Sequence, residues 1–138
     1  MSRPQLPIPK ATALWTNKVM VQDTATYASP EVVNLQGFSG VIFRVFADSE
    51  VGTATLDIKT QAYCEVEAVW YDIAGASFAQ ITANATVPVD LIIGPSLAAV
   101  SNRVVAQPVH RRMRLYATVG DATTEGFTVS AEAEFFNA

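Results

Sequence analysis

The sequence is short of the groups on which most enzymatic chemistry depends. It holds one cysteine, Cys64, and one histidine, His110. A single cysteine excludes an intrachain disulfide and a cysteine-based zinc site, and a single histidine leaves too few ligands for zinc. Nucleophilic catalysis needs a nucleophile beside a base. We interpret Cys64 as a partly buried residue at a strand end or turn, and His110 as a residue at a strand edge or interface. The sequence therefore predicts a non-enzymatic protein with no catalytic, metal-binding or cofactor-binding residues.

Charged residues are scarce as well. They make up 16% of the 138 residues, and the formal net charge is −4. A negative net charge argues against general electrostatic binding of nucleic acid. A chain this poor in charge, in which 50% of the residues are apolar, indicates a surface that is partly covered by other subunits. We therefore expect a homo-oligomer or a component of a lattice.

Long apolar runs are also missing. The most apolar stretch, residues 87–100, is interrupted by Pro88, Asp90 and Pro95, so no membrane span is predicted. Residues 1–15 lack the continuous apolar segment of a secretory signal peptide, because three prolines interrupt them. The sequence thus predicts a protein that is made in the cytoplasm and does not associate with a membrane.

The first 30 residues differ from the rest of the chain. The three prolines among the first nine residues favour an extended or polyproline backbone. Two interpretations stay open, a disordered tail or an ordered arm that lies on a neighbouring subunit. Four apolar residues that are unusual in a solvated tail indicate the arm: Leu6, Ile8, Leu14 and Trp15. We divide the chain into an extended N-terminal arm, residues 1–30, and a β-sandwich domain, residues 31–138.

From residue 31 onward the pattern is one of short strands and turns. Residues rich in β-branched, aromatic or alternating apolar side chains predict strands at 38–47, 54–61, 69–73, 78–82 and 87–93. In the first of these, apolar residues occupy both faces, which indicates a central strand or one whose outer face meets a partner. Since no long amphipathic helix is apparent, the pattern predicts an all-β protein, an antiparallel β-sandwich of jelly-roll or Ig-like type.

The connection at residues 96–107 is compatible with one or two helical turns or with a loop.

The last two predicted strands, residues 109–119 and 127–135, alternate between apolar and polar side chains. Pairing Val119 with Phe127 predicts a hairpin in which apolar residues meet apolar residues on one face. On the other face this register places Arg114 opposite Glu132 and Arg112 opposite Glu134, and it also pairs Tyr116 with Ser130 and Thr118 with Thr128. Opposite charges across such a pair contribute ~0.2–1 kcal/mol each.

A stretch without acidic residues lies between Asp90 and Asp121 and carries four arginines. Two of them are assigned to the predicted hairpin. The others, Arg103 and Arg111, are candidates for contact with an acidic partner surface.

Two segments, residues 56–82 and 110–136, carry three sequence elements: W-x-D-I/V-x-G-A-x-F, then R-x-V/L-R-x-x-x-T-V-x-G, then a closing F-T-V-S-V strand. The residues that correspond to them are Trp70, Asp72, Ile73, Gly75, Ala76, Phe78, Arg112, Arg114, Thr118, Val119, Gly120, Phe127, Thr128, Val129 and Ser130. Arg112 and Gly120 each stand one position from the place that the second element gives its first arginine and its glycine. In these elements the chain resembles a group of β-sandwich accessory proteins in the virions of tailed phages and prophages. Residues 63–67 depart from the group's usual Ser/Asp/Gly turn. We expect Trp70 and Phe78 to fill the core.

The resemblance implies a structural virion protein. The function expected first is a capsid decoration, or cement, protein on the outer capsid surface, which binds the major capsid protein or other virion proteins and stabilises the assembled head. A trimer is favoured, because cyclic symmetry suits threefold positions of a shell. Two alternatives stay open: a neck or tail protein that forms a ring, and a carbohydrate- or receptor-binding module. The module would need exposed aromatic residues, for which Trp15, Tyr63 and Tyr71 are the candidates.

Overall fold

The computed structural model describes residues 11–21, 23–49, 53–82, 87–121 and 126–137. These residues form eleven strands: β1 (Thr12–Met20), β2 (Thr26–Ala28), β3 (Val32–Val33), β4 (Gly40–Ser49), β5 (Thr55–Cys64), β6 (Val69–Ser77), β7 (Ile81–Thr82), β8 (Val87–Ile93), β9 (Val104–Val105), β10 (Arg112–Gly120) and β11 (Phe127–Phe136). No helix occurs among the described residues, and hence none long and apolar enough to cross a bilayer. The prediction of an all-β protein is confirmed.

Two sheets pack against each other as a β-sandwich. The first sheet has the order β1-β11-β4-β8-β9, and the second has the order β2-β10-β5-β6, with β3 also beside β10 and β7 beside β5. The antiparallel pairs are nested along the chain: β1 with β11, β2 and β3 with β10, β4 with β8, and β5 with β6. Nested pairing of this kind is jelly-roll connectivity. An Ig-like order would instead place the last two strands side by side in one sheet.

The core lies between the inner faces of the two sheets. Alternation along each strand sends every second side chain inward, so that β10 and β11 each bury four apolar residues in a regular pattern. The largest fully buried side chains are Phe43, Phe127, Met20, Leu56, Ile58, Leu91, Ile93, Met113 and Leu115. Burying a side chain of this size contributes ~1.5–3 kcal/mol, so this shared apolar layer holds the two sheets together.

The predicted hairpin between the last two strands is wrong. β10 pairs with β5, with Val119 opposite Leu56, whereas β11 pairs with β4 in the other sheet, with Phe127 opposite Ser49. Alternation alone could not separate the two arrangements, because two half-buried strands satisfy it equally well side by side or facing each other across a core. The connection between β10 and β11, residues 121–126, has six residues. It is longer than the two to five residues that hairpin loops usually have, and its length allows the chain to change sheets.

The extent of the predicted arm is corrected by β1 and β2. β1 runs beside β11 at the edge of the first sheet, and β2 runs beside β10 in the second sheet. Leu14 and Trp15 are consecutive and are both buried, at 4% and 6% exposure. A bulge explains this, because the β1 register shifts on both sides of Trp15 and Asn17 has a positive φ of 47°. The strands of the sandwich therefore begin at Thr12, while residues 1–10 lie outside the described residues.

Two further predictions concern local structure, the connection at residues 96–107 and the strand at residues 69–73. The segment 96–107 forms turns and the short strand β9, which lies parallel to β8, so the helical alternative is wrong. At Gly75, with φ of +73°, β6 bulges between its pairs with Lys59 and Gln61 and continues to Ser77.

Candidate interaction surface

The outer face of the second sheet carries interleaved cations and aromatic rings. On β10 the outward residues are the alternates of the buried ones, beginning with Arg112 and Arg114. The register places Arg114 opposite Gln61 and Tyr63 opposite Trp70. We call the resulting set of half-buried side chains the cation–aromatic surface: Lys59, Tyr63, Trp70, Arg112, Arg114 and Tyr116.

Arg112 stacks on one end of this surface. Its Cζ atom lies 4.0 Å from the ring centroid of Tyr63 and 5.9 Å from that of Trp70. Its Nε donates to Glu31 over 2.7 Å and its Nη1 donates to Glu65 over 3.2 Å. Hydrogen bonds to these two carboxylates raise the pKa of the guanidinium further above its ordinary value, and the bond to Glu31 has the larger effect. The charge of Arg112 is therefore already balanced within the protein.

Arg114 occupies the centre of the surface. Its Cζ atom lies 4.4 Å from the Trp70 ring centroid and 5.8 Å from that of Tyr116. Its Nε donates to Oε1 of Gln61 over 2.8 Å. Unlike Arg112, it forms no ion pair with any carboxylate of the described residues.

Gln61 connects Arg114 to an ion pair on the far side of the surface. Its side chain is 8% exposed, and its Nε2 donates to Oδ1 of Asp72 over 3.0 Å. The other carboxylate oxygen of Asp72 accepts from Nζ of Lys59 over 2.8 Å. These two hydrogen bonds lower the pKa of Asp72, and the bond from Lys59 has the larger effect. The chain of contacts fixes the position of Gln61, and through it that of Arg114.

The aromatic rings complete a packed layer. The rings of Tyr63 and Trp70 meet at 5.1 Å with an interplanar angle of 59°, and Nζ of Lys59 lies 5.3 Å from the Tyr116 ring centroid. Cation–π contacts at exposed sites contribute ~0.5–1 kcal/mol each. Tryptophan, tyrosine and arginine are also the residues most enriched at the centres of protein interfaces. The surface thus combines an ordered geometry with the composition of a protein-binding site.

The sequence placed Trp70 in the core, and this is wrong, because Trp70 lies on the outer face of β6, whereas Phe78 is buried at 5% exposure as predicted. One signal could have indicated the surface: Tyr63 shares a strand face with Lys59 and Gln61, and the first three outward residues of β10 are two arginines and a tyrosine.

The predicted partner contacts do not meet on one surface. Leu14 and Trp15 are buried in the sandwich and are unavailable to a partner, which corrects their assignment. Leu6 and Ile8 lie outside the described residues. Arg103 and Arg111 are both exposed, but they precede strands of different sheets, β9 and β10.

His110 lies just before β10 and contacts β6. Its Nδ1 lies 3.2 Å from the hydroxyl of Tyr71, and the two rings meet edge to face at 5.9 Å. Burial lowers the pKa of His110. Cys64 ends β5 and is half-buried, as predicted. Among the described residues no three His, Cys, Asp or Glu side chains are grouped so that they could hold a metal ion.

The outer face of the first sheet has a different character. Nη1 of Arg44 lies 2.7 Å from Glu134 and 3.5 Å from Glu132, and the strand register places Asp90 beside it. The hydrogen bond that Arg44 donates to Glu134 raises the pKa of Arg44. Phe46 is 54% exposed on this face. On the outer face of the first sheet, the only arginine among the described residues is therefore surrounded by carboxylates.

No protein-family model, curated protein or solved structure matches the chain.

Proposed function

We propose that this protein is a non-enzymatic structural component of a tailed-phage particle, a decoration protein that binds the outer surface of the assembled head. The proposal draws on the resemblance of the sequence to virion accessory proteins. One observation carries it further: motif residues from two distant segments, Trp70 on β6 and Arg112 and Arg114 on β10, converge on a single half-exposed sheet face.

An open sheet face whose side chains already hold one another in place suits contact with another protein. Small-molecule sites are concave and enclose their ligand, whereas protein interfaces are broad and are enriched in aromatic residues and arginine. A subunit that binds only the assembled shell stabilises that shell by mass action. In the proposed arrangement the cation–aromatic surface meets the major capsid protein, and copies of the protein assemble as trimers at threefold positions. Leu6, Ile8, Arg103 and Arg111 remain predicted partner contacts in addition to the residues of that surface.

The carbohydrate-binding alternative draws less support. Of its three candidate aromatics, Trp15 is buried, Tyr63 stacks against the guanidinium of Arg112, and Tyr71 contacts His110. The neck or tail alternative would use the same protein-binding face, so its difference from decoration lies in copy number and position on the particle.

Reconstitution tests the proposal. Purified protein is added to phage heads that lack it, and both the bound fraction after sedimentation and the temperature at which the heads release DNA are measured. We expect saturable binding and a higher release temperature. Heads that bind none of the protein would contradict the proposed function.

A further inference from the structure

We propose that Arg114 is the anchor of the cation–aromatic surface and that it binds a carboxylate side chain on the partner protein. This inference rests on the proposed function, and it specifies the chemistry of the contact.

The charges of the surface single out Arg114. Arg112 has two carboxylate partners, Glu31 and Glu65, and Lys59 has Asp72. Arg114 forms one side-chain hydrogen bond among the described residues, through Nε to the neutral amide of Gln61, which leaves both terminal Nη groups without a described acceptor. A guanidinium offers these donors as a planar fork that matches the two oxygens of a carboxylate.

The position of Arg114 is fixed before a partner arrives. The guanidinium lies against the Trp70 ring, and its Nε is held by Gln61, which is itself buried and bonded to Asp72. A long side chain normally loses rotamer freedom when it is immobilised at an interface, and this loss weakens binding. In Arg114 much of that loss has already occurred on folding, so a bound carboxylate gains more of the interaction.

The surroundings favour one carboxylate over a polyanion. Three acidic residues, Glu31, Glu65 and Asp72, border the surface, and the whole chain carries a net charge of −4. A nucleic acid or an acidic polysaccharide brings a row of negative charges, which these carboxylates repel. A single Asp or Glu on a protein surface contacts only the free donors of Arg114. The aromatic rings around Arg114 exclude water, as the rim of an interface hot spot does.

Binding to heads that lack the protein tests the inference. The variant Arg114→Lys keeps the positive charge but loses the planar fork and the ring stacking. Gln61→Met removes the acceptor that positions Arg114 and keeps a side chain of similar length. The matched control is Arg44→Lys, the same change on the outer face of the other sheet, where carboxylates already pair with the guanidinium. Circular dichroism melting of all three variants checks that each is folded.

We expect Arg114→Lys to raise the dissociation constant for heads at least ~10-fold, as the loss of an interface hot spot does. Gln61→Met should raise it by a smaller factor, and Arg44→Lys should leave it unchanged. If the wild type binds heads and Arg114→Lys binds equally well, the inference is overturned while the proposed function stands. If the wild type binds no heads but binds polygalacturonate in an Arg114-dependent manner, the inference and the proposed function are both overturned. The ligand of the surface would then be an acidic glycan.

Discussion

Arg44 on β4 donates a hydrogen bond over 2.7 Å to Glu134 on β11, and this pair joins two strands that lie 90 residues apart. The sequence pattern predicts a different partner for Glu134, namely Arg112 on β10. In the structure Arg112 instead forms ion pairs with Glu31, just before β3, and with Glu65, just after β5, and both of these strands belong to the other sheet. The arginine that pairs with Glu134 therefore indicates which sheet contains β11.

A double-mutant cycle should detect this choice. For Arg44→Ala with Glu134→Ala we expect a coupling free energy of ~0.3–1 kcal/mol in urea unfolding, the range of partly exposed ion pairs. The matched cycle, Arg112→Ala with Glu134→Ala, should give no coupling, because those side chains lie on opposite sheets. Coupling in the second cycle and none in the first would restore the predicted hairpin.

The burial of Trp15 distinguishes a strand within the sandwich from an arm that lies on a neighbouring subunit. Because Trp15 is 6% exposed within the single chain, Trp15→Ala should lower the free energy of unfolding by ~3–5 kcal/mol. Val19→Ala on the same strand is the control: Val19 is 55% exposed, so its change should stay within ~0.5 kcal/mol. Urea unfolding of the dilute protein measures both. Equal, small effects would mean that Trp15 does not pack in the core.

The sequence predicts the strands of this fold better than it predicts which strands pair with each other. The alternation in β5, β10 and β11 identifies each strand and its buried face, because a half-buried strand requires a period of two. Pairing depends on distant residues, and Glu134 has arginines at suitable positions on both β4 and β10. The register shift between Ala13 and Trp15 places Leu14 and Trp15 in the core together, which breaks the alternation that would have revealed β1.

The candidate site was harder to predict than the fold. Trp70 is a large aromatic residue on a short strand, and such residues are usually buried. Its position on the outer face follows from its register opposite Tyr63, which no local pattern specifies. The alternation of residues 109–119 predicts that Arg112 and Arg114 face outward. Their ring contacts, however, come from strands β5 and β6, and only the jelly-roll order establishes that these strands lie close by.

His110 should make the stability of the protein depend on pH. Burial lowers its pKa in the folded state, so the folded protein resists protonation while the unfolded chain binds a proton below about pH 6.5. The contribution is present above that value and is lost as the pH falls through the folded-state pKa. Between about pH 7.5 and about pH 5.5, the urea midpoint of the wild type should therefore fall more than that of His110→Gln. Equal decreases in both proteins would contradict this role of His110.

The N-terminal residues Leu6 and Ile8 remain predicted partner contacts. The double variant Leu6→Ser with Ile8→Ser should bind heads more weakly than the wild type, because it removes apolar area from the proposed interface. Leu35→Ser is a matched control, since Leu35 is 79% exposed on the sandwich itself and lies outside the predicted contacts. Unchanged affinity of the double variant in the sedimentation assay would remove the arm from the account.

The number of copies on each particle tests the central proposal most directly. Quantitative mass spectrometry of purified virions compares the abundance of this protein with that of the major capsid protein. Decoration of a whole shell by symmetric oligomers predicts copies on the order of hundreds per particle. A count of about a dozen or fewer, the size of a single ring, would contradict decoration and assign the protein to the neck or tail.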